Sequence, residues 1–408
     1  MGNSHPPGAG NDVPPRVRPG IEMMEENAWD QLRGHKVGVL TNASGVFPDL
    51  RHLVDVLHEA PGVNLRAVFG PEHGFRGAAQ AGASQSKYTD ARTGLPVYDL
   101  YQKNSRRISE TFAEAGVDCL LFDMQDVGVR FYTYIWTLYD CLVAAALASE
   151  PIKFIVADRP NPIGGVLVDG PLMEKEFASF VGRKAIPLLH GCTMGELAQL
   201  FNEEFVPGDA GGRQANLEVV KMDQWSRATC FSETGLPWVP PSPGMPTPAT
   251  ALVYGGTGLF EGTNLSEGRG TTLPFEQIGA PWVDFRFSRE ARAAGWPGVL
   301  FREAYFTPTS SKHAGKMCGG VQLYVQQPQE YNSLRVGLNL LLLLKQLYPT
   351  HFAWRCDGGS YWLDKLVGNS HVRQMLDRGE SVDQIAASWH DDLTWFAILR
   401  QKHTLYQK

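Results

Sequence analysis

Four short runs of this chain are apolar on both of the faces that a strand presents. They are KVGVLT at 36–41, LRAVFG at 65–70, CLLFD at 119–123 and FIVAD at 154–158. A strand wetted on one face alternates apolar and polar residues, so a run without that alternation is buried on both sides. Helix-like segments separate the runs. Leu50, Leu53, Val54 and Leu57 share a face behind a capping Asp49, Ile108 and Phe112 follow a capping Ser105, and residues 134–148 form an apolar helix. Thr193 caps a further helix over 196–205, with Leu197, Leu200 and Phe201 inward. Repeated strand–helix units with such strands predict an α/β fold, a mostly parallel sheet covered on both faces. Right-handed crossovers then bring the strand C-termini to one edge.

The proline-rich stretch WVPPSPGMPTPAT at 238–250 marks a domain boundary. The organisation expected is a parallel-sheet domain over 21–240 and a smaller α+β domain over 241–408. The second domain carries a strand near 321–325, a buried helix at 334–347 and a capping box at Ser381 and Gln384. The first 20 residues hold no apolar stretch, so they read as a disordered segment without a signal peptide, and the expected location is cytoplasmic. The apolar helix is too short to span a bilayer, so no membrane partner is expected. With 37 basic against 43 acidic residues and a net charge of −6, nucleic acid is not an expected partner. The six cysteines form no C-x-x-C pair, and no histidines stand four apart, so neither a metal site nor a redox motif is expected.

At the shared strand edge the sequence places Asn42, then Glu72 and His73 after Gly70-Pro71, then Asp123 and Asp126, then Asp158, Arg159 and Asn161. Gly74 and Gly77 let the chain turn after the Glu-His pair. Open α/β sheets bind ligands at this edge. Nucleotide motifs are missing: the glycine-rich stretch GGTGLFEGTNLSEGRGTT at 255–272 lacks the Gly-Lys-Ser/Thr of a phosphate loop, and no early turn carries the dinucleotide fingerprint. That stretch instead carries Glu261, Asn264, Glu267 and Arg269. Asp126 with Arg130 reads either as a ligand-binding pair or as a structural ion pair. Tyr132 and Tyr134 read as sugar-stacking or core residues. His190 and Cys192 could form a Cys/His nucleophile pair, but the favoured reading is a turn cap and a buried thiol. No Gly-x-Ser-x-Gly elbow is present, which disfavours a serine hydrolase.

Glycoside hydrolysis needs two carboxyl groups facing one ligand. One is protonated to assist the leaving oxygen, and the other is ionised. Glu72 and one of Glu261 or Glu267 are the best pair in this chain.

The motifs GPEHGFRG, FDMQDVGVRFYTYIWT, DRPNPIGG, LLHGCTMGELAQLFNEE and LFEGTNLSEGRGTTLPFEQIGAPW occur here in order. Together they closely resemble those of the exo-β-N-acetylmuramidases, over about residues 20 to 406. The resemblance implies a Rossmann-like N-terminal domain and a smaller C-terminal one. It also implies a cleft enzyme that releases N-acetylmuramic acid (MurNAc) from the non-reducing ends of peptidoglycan fragments, without a cofactor. Carried over by position, it makes Glu72 the first candidate catalytic carboxylate, with Glu261 and Glu267 as candidates for the second; Glu72 is favoured here as the general acid, with His73 near enough to tune it. Asn42, Asp126, Tyr132, Asp158, Asn161 and Asn264 become candidate substrate ligands, and Arg130, Arg159 or Arg269 would meet the lactyl carboxylate. Two positions depart from the family pattern: Gly244, where an Asn is expected, and Ala43, where a bulkier polar residue is common. A sugar-binding or sensing protein without catalysis, and a hexosaminidase of other specificity, are the alternatives.

Overall fold

The structure, a computed structural model, describes residues 16–76 and 87–407. Gly77 and residues 1–15, named above, lie outside the described residues. The first sheet holds β1 Lys36–Thr41, β2 Asn64–Gly70, β3 Tyr88–Thr89, β4 Pro96–Asp99, β5 Cys119–Asp123, β6 Lys153–Ala157 and β7 Asn216–Val220. Their order is β3-β4-β2-β1-β5-β6-β7. Every neighbouring pair is parallel except β3 with β4. Taken alone, the parallel strands follow the strand order of dinucleotide-binding folds, which reverses between β1 and β5.

Both faces of this sheet are dry, as the unalternating strand runs require. Leu40, Phe69, Leu120, Phe122, Phe154 and Val156 pack on one side with Phe112 and Leu138. Their sequence neighbours Val39, Val68, Leu121 and Ile155 pack on the other with Ile21, Met24, Leu53 and Leu57. Each such side chain contributes about 1.5–3 kcal/mol on leaving water, so the two layers hold the strand ends at fixed positions.

Several local expectations need correction. Asp49 does not cap the helix Leu53–Glu59; the His52 side chain accepts from Val54 N, while Asp49 is turned onto Arg51. Asn104, not Ser105, caps the helix Ser105–Ala115. Residues 16–20, assigned above to a disordered segment, are ordered. Val17 is buried beside Met222, Trp225 and Tyr406, and Gly20 N donates to Asp158 O at 2.8 Å. The capping boxes at Thr193–Glu196 and Ser381–Gln384 are both present.

The C-terminal half adds an antiparallel sheet of β8 Gln277–Ala280, β9 Val299–Phe306 and β10 Cys318–Val325, in the order β8-β10-β9. The helix Ser333–Leu347 packs on the helix Pro248–Thr257. They meet at glycines: a methyl group on Gly337 would stand 2.5 Å from Gly256 Cα, and one on Gly256 would stand 1.8 Å from Ser333 O. Among the described residues no helix is long and apolar enough to cross a membrane.

Because the obstructing atoms at this crossing are backbone, the helices must separate to admit any side chain. Gly337→Ala is expected to cost at least about 1–3 kcal/mol and to lower the melting temperature, measured by scanning calorimetry. An unchanged melting temperature would show that the helices are not in this contact.

Candidate active site

Strand β2 stops at Gly70-Pro71, and the chain turns sharply there. Gly74 N donates to Pro71 O at 3.0 Å, and His73 takes a left-handed φ of 72°. Such a φ is costly for a residue with a Cβ, and the turn that imposes it delivers Glu72 and His73 to one cavity. The segment after β5 supplies the next wall, with Tyr132, Thr133 and Tyr134. Thr133 Oγ1 donates to Glu72 Oε2 at 2.9 Å. The linker contributes Ser242 to Met245, and the turn Gly258–Gly262 contributes Glu261. Arg269 completes the ring of charges. The cavity is open to solvent and has a volume of about 150 Å³.

Charge is concentrated on the Glu261 side. Arg269 reaches Glu261 Oε1 from Nε at 2.9 Å and from Nη2 at 2.8 Å. Behind it, Glu267 Oε2 pairs with Lys312 at 2.8 Å, and Glu267 Oε1 lies 3.6 Å from Arg269. Burial raises the pKa of Glu261, Arg269 opposes that rise and the Glu267 charge adds to it. Burial holds the Tyr254 phenol well above its ordinary range, and Glu261 and Glu72 both push it further, which puts both carboxylates within electrostatic reach of one hydroxyl. Glu267 does not itself line the cavity.

Of the residues named from sequence, Glu72, His73, Tyr132, Tyr134, Gly244, Glu261 and Arg269 line this space together. Most of the others are held by protein groups elsewhere. Asn42 donates to Pro241 O and accepts from Ser44. Asp158 accepts from Thr193, Gly195 N and Tyr406. Arg159 grips Asp123 with two nitrogens and donates to Val46 O. Asn161 bonds Cys192 O and Ile163 N, and Asn264 bonds the backbone of His351 and Ala353.

Asp126 and Arg130 do not form the ion pair weighed above. Arg130 donates instead to the carbonyls of Pro171, Ile186, Leu366 and Val367. Asp126 accepts from Gly128 N and lies 3.7 Å from His190 Nε2. His190 Nδ1 accepts from Cys192 N, so this pair is the turn cap and buried thiol expected of it. Thr133, Phe180, Tyr254 and Trp362 also line the cavity and were not singled out from sequence. Thr133 lay inside a quoted motif, but Phe180 and Trp362 carried no local signal.

The models for the exo-β-N-acetylmuramidase NamZ N-terminal and C-terminal domains match residues 37–249 and 252–406. The chain belongs to the NamZ family. It is 46% identical over 393 residues to the peptidoglycan β-N-acetylmuramidase NamZ of Bacillus subtilis (strain 168), covering 96% of this chain and 92% of that protein. A crystal structure of a DUF1343 family protein from Bacteroides fragilis NCTC 9343 superposes with a TM-score of 0.87 at 34% identity, over 96% of this chain and 99% of that one. A second DUF1343 protein from the same organism gives a TM-score of 0.74 at 31% identity, with the same coverage. The cavity of this NamZ-family chain thus lies against the C-terminal ends of β2 and β5, and its second glutamate comes from the segment that the C-terminal family model covers.

Burial pushes the Asp126 carboxyl up to about 7, so the folded chain keeps a proton that the unfolded chain releases near pH ~4. Stability from this group is therefore lost as pH rises from ~4 through about 7. Asp126→Asn, which keeps an acceptor for Gly128 N, is expected to remove that loss. Its melting temperature should gain on the wild type across this window, and a constant difference from pH 4 to 8 would refute the assignment.

Proposed function

We propose a two-carboxylate mechanism for this peptidoglycan exo-β-N-acetylmuramidase, a glycoside hydrolase, with Glu72 as general acid and Glu261 as its ionised partner. The observation that carries the reading is that these two glutamates, from opposite halves of the chain, line one cavity. The enzyme releases MurNAc from the non-reducing ends of peptidoglycan fragments.

Cleavage of the glycosidic bond leaves an alkoxide unless a proton is supplied, and positive charge develops at the anomeric carbon. Glu72 gives its proton to the leaving oxygen, and Thr133 fixes the orientation of that carboxyl through Oε2. Glu261 meets the developing positive charge as an anion. Burial raises its pKa, and Arg269 at 2.8 Å opposes that rise and favours the ionised form. Glu267 acts at one remove, holding Arg269 and Lys312 in position.

The lactyl ether of MurNAc carries a carboxylate and needs a cation. Among the three arginines considered, Arg130 and Arg159 are spent on backbone carbonyls and Asp123, whereas Arg269 faces the cavity. Gly244 leaves Arg269 room, since a side chain there would begin 3.2 Å from Nη1. The departure at Gly244 thus gives the substrate carboxylate access to the guanidinium.

Two measurements test the roles. Glu72→Gln is expected to reduce kcat/KM on the disaccharide MurNAc–GlcNAc by about 10²–10⁴, and to reduce it far less on β-MurNAc azide, whose leaving group departs without a proton. Equal losses on both substrates would remove Glu72 from the acid role. Arg269→Met takes away the cation that favours ionised Glu261, so the acid limb of the pH–rate profile is expected to move to higher pH. A shift to lower pH, or none, would contradict the assignment.

A further inference from the structure

One wall of the cavity is used by neither carboxylate nor by Arg269. Phe180 and Trp362 stand there with ring centroids 6.0 Å apart and planes inclined by 46°. They come from distant parts of the chain: Phe180 from the bend between Ser179 and Gly182, and Trp362 from the first turn of the helix Trp362–Val367. Phe180 leaves 42% of its surface in water, so it lies at the mouth of the cavity. Holding an aromatic ring in water forgoes the gain of burying it, and an exposed apolar surface beside a catalytic cavity marks a place where a ligand lies.

Trp362 supplies a second aromatic surface on this wall, and its ring is held firmly. The Arg355 guanidinium lies 4.8 Å from its centroid, and Trp362 N donates to Arg355 O at 3.0 Å.

We propose that Phe180 and Trp362 form the subsite for the sugar on the leaving-group side of the scissile bond. An exo-acting site takes the terminal residue inward and leaves the rest of the glycan toward solvent, so the exposed wall of the cavity faces the leaving sugar. A pyranose offers two complementary surfaces, a C–H face and a rim of oxygens. The exposed Phe180 ring takes the C–H face, and the Trp362 indole inclined beside it extends that apolar wall. This inference rests on reading the cavity as the hydrolytic site.

The test compares a substrate that has a leaving sugar with one that lacks it. Phe180→Ala and Trp362→Ala are each expected to raise KM for MurNAc–GlcNAc by about tenfold with little change in kcat. Both should leave hydrolysis of β-MurNAc azide within about twofold of wild type, since azide touches neither ring. Phe180→Trp, which restores an aromatic face, should recover the disaccharide KM. An unchanged disaccharide KM, or an equal loss on both substrates, overturns the subsite. Wild-type enzyme inactive on both substrates would instead overturn the functional reading, and the subsite with it.

Discussion

The Arg130 guanidinium, fully enclosed, gathers four backbone carbonyls from three separate stretches of chain, those of Pro171, Ile186, Leu366 and Val367. Much of the site depends on this contact. Residues 131–134, which follow Arg130, carry the Thr133 that orients Glu72. Leu366 and Val367 end the helix that begins with Trp362, and Pro171 and Ile186 flank the bend that carries Phe180. One side chain therefore sets the spacing between the acid and the aromatic wall. Burial draws the guanidinium down to about 9, which still leaves it charged at neutral pH. Its hydrogen bonds are charge-assisted, and each stabilises the fold by roughly 1.5–3 kcal/mol. A lysine has no planar fork with which to reach the same carbonyls.

At the point where the strand order reverses, between β1 and β5, folds of this strand order hold a dinucleotide. Here the interdomain linker crosses that region. Asn42, just past β1, and Tyr134, beyond β5, both donate to Pro241 O. The residues that follow, Ser242 to Met245, then form part of the cavity wall. The ligand site lies instead where the ends of β2 and β5 face Glu261 and Arg269. The same scaffold has thus been turned to sugar chemistry by covering one crevice and opening the next.

The fold was legible to the extent that burial leaves a mark on composition. Runs buried on both faces read as parallel strands because polar side chains are costly to remove from water on either side. Among the strands that sequence reading missed, β4 is short and β7 is half-exposed, and the apolar signal fades there. The cavity wall was legible at Glu72, His73, Tyr132, Tyr134, Glu261 and Arg269, which stand in dense motifs. Asn42, Asp158, Arg159, Asn161 and Asn264 do not line it. Those residues do crowd the strand edge or the glycine-rich loop, but they hold the chain to itself. A polar residue that ties two loops and one that meets a ligand have the same identity in a sequence; only the partner differs.

The sequence by itself determined the sheet, its two dry faces, the family and the pair of loops that bring glutamates forward. Those properties follow from hydrophobic periodicity and from local motifs, which contacts close in the chain encode. Only the tertiary structure placed Glu261 rather than Glu267, and Arg269 rather than Arg130 and Arg159, on the cavity wall, and brought Phe180 and Trp362 there. Each of those placements depends on which side chain reaches the cavity, as Glu261 and Arg269 do while paired with each other. That is a property of contacts between residues far apart in the chain, such as Arg130 and Leu366 at 236 positions, and no local pattern carries it.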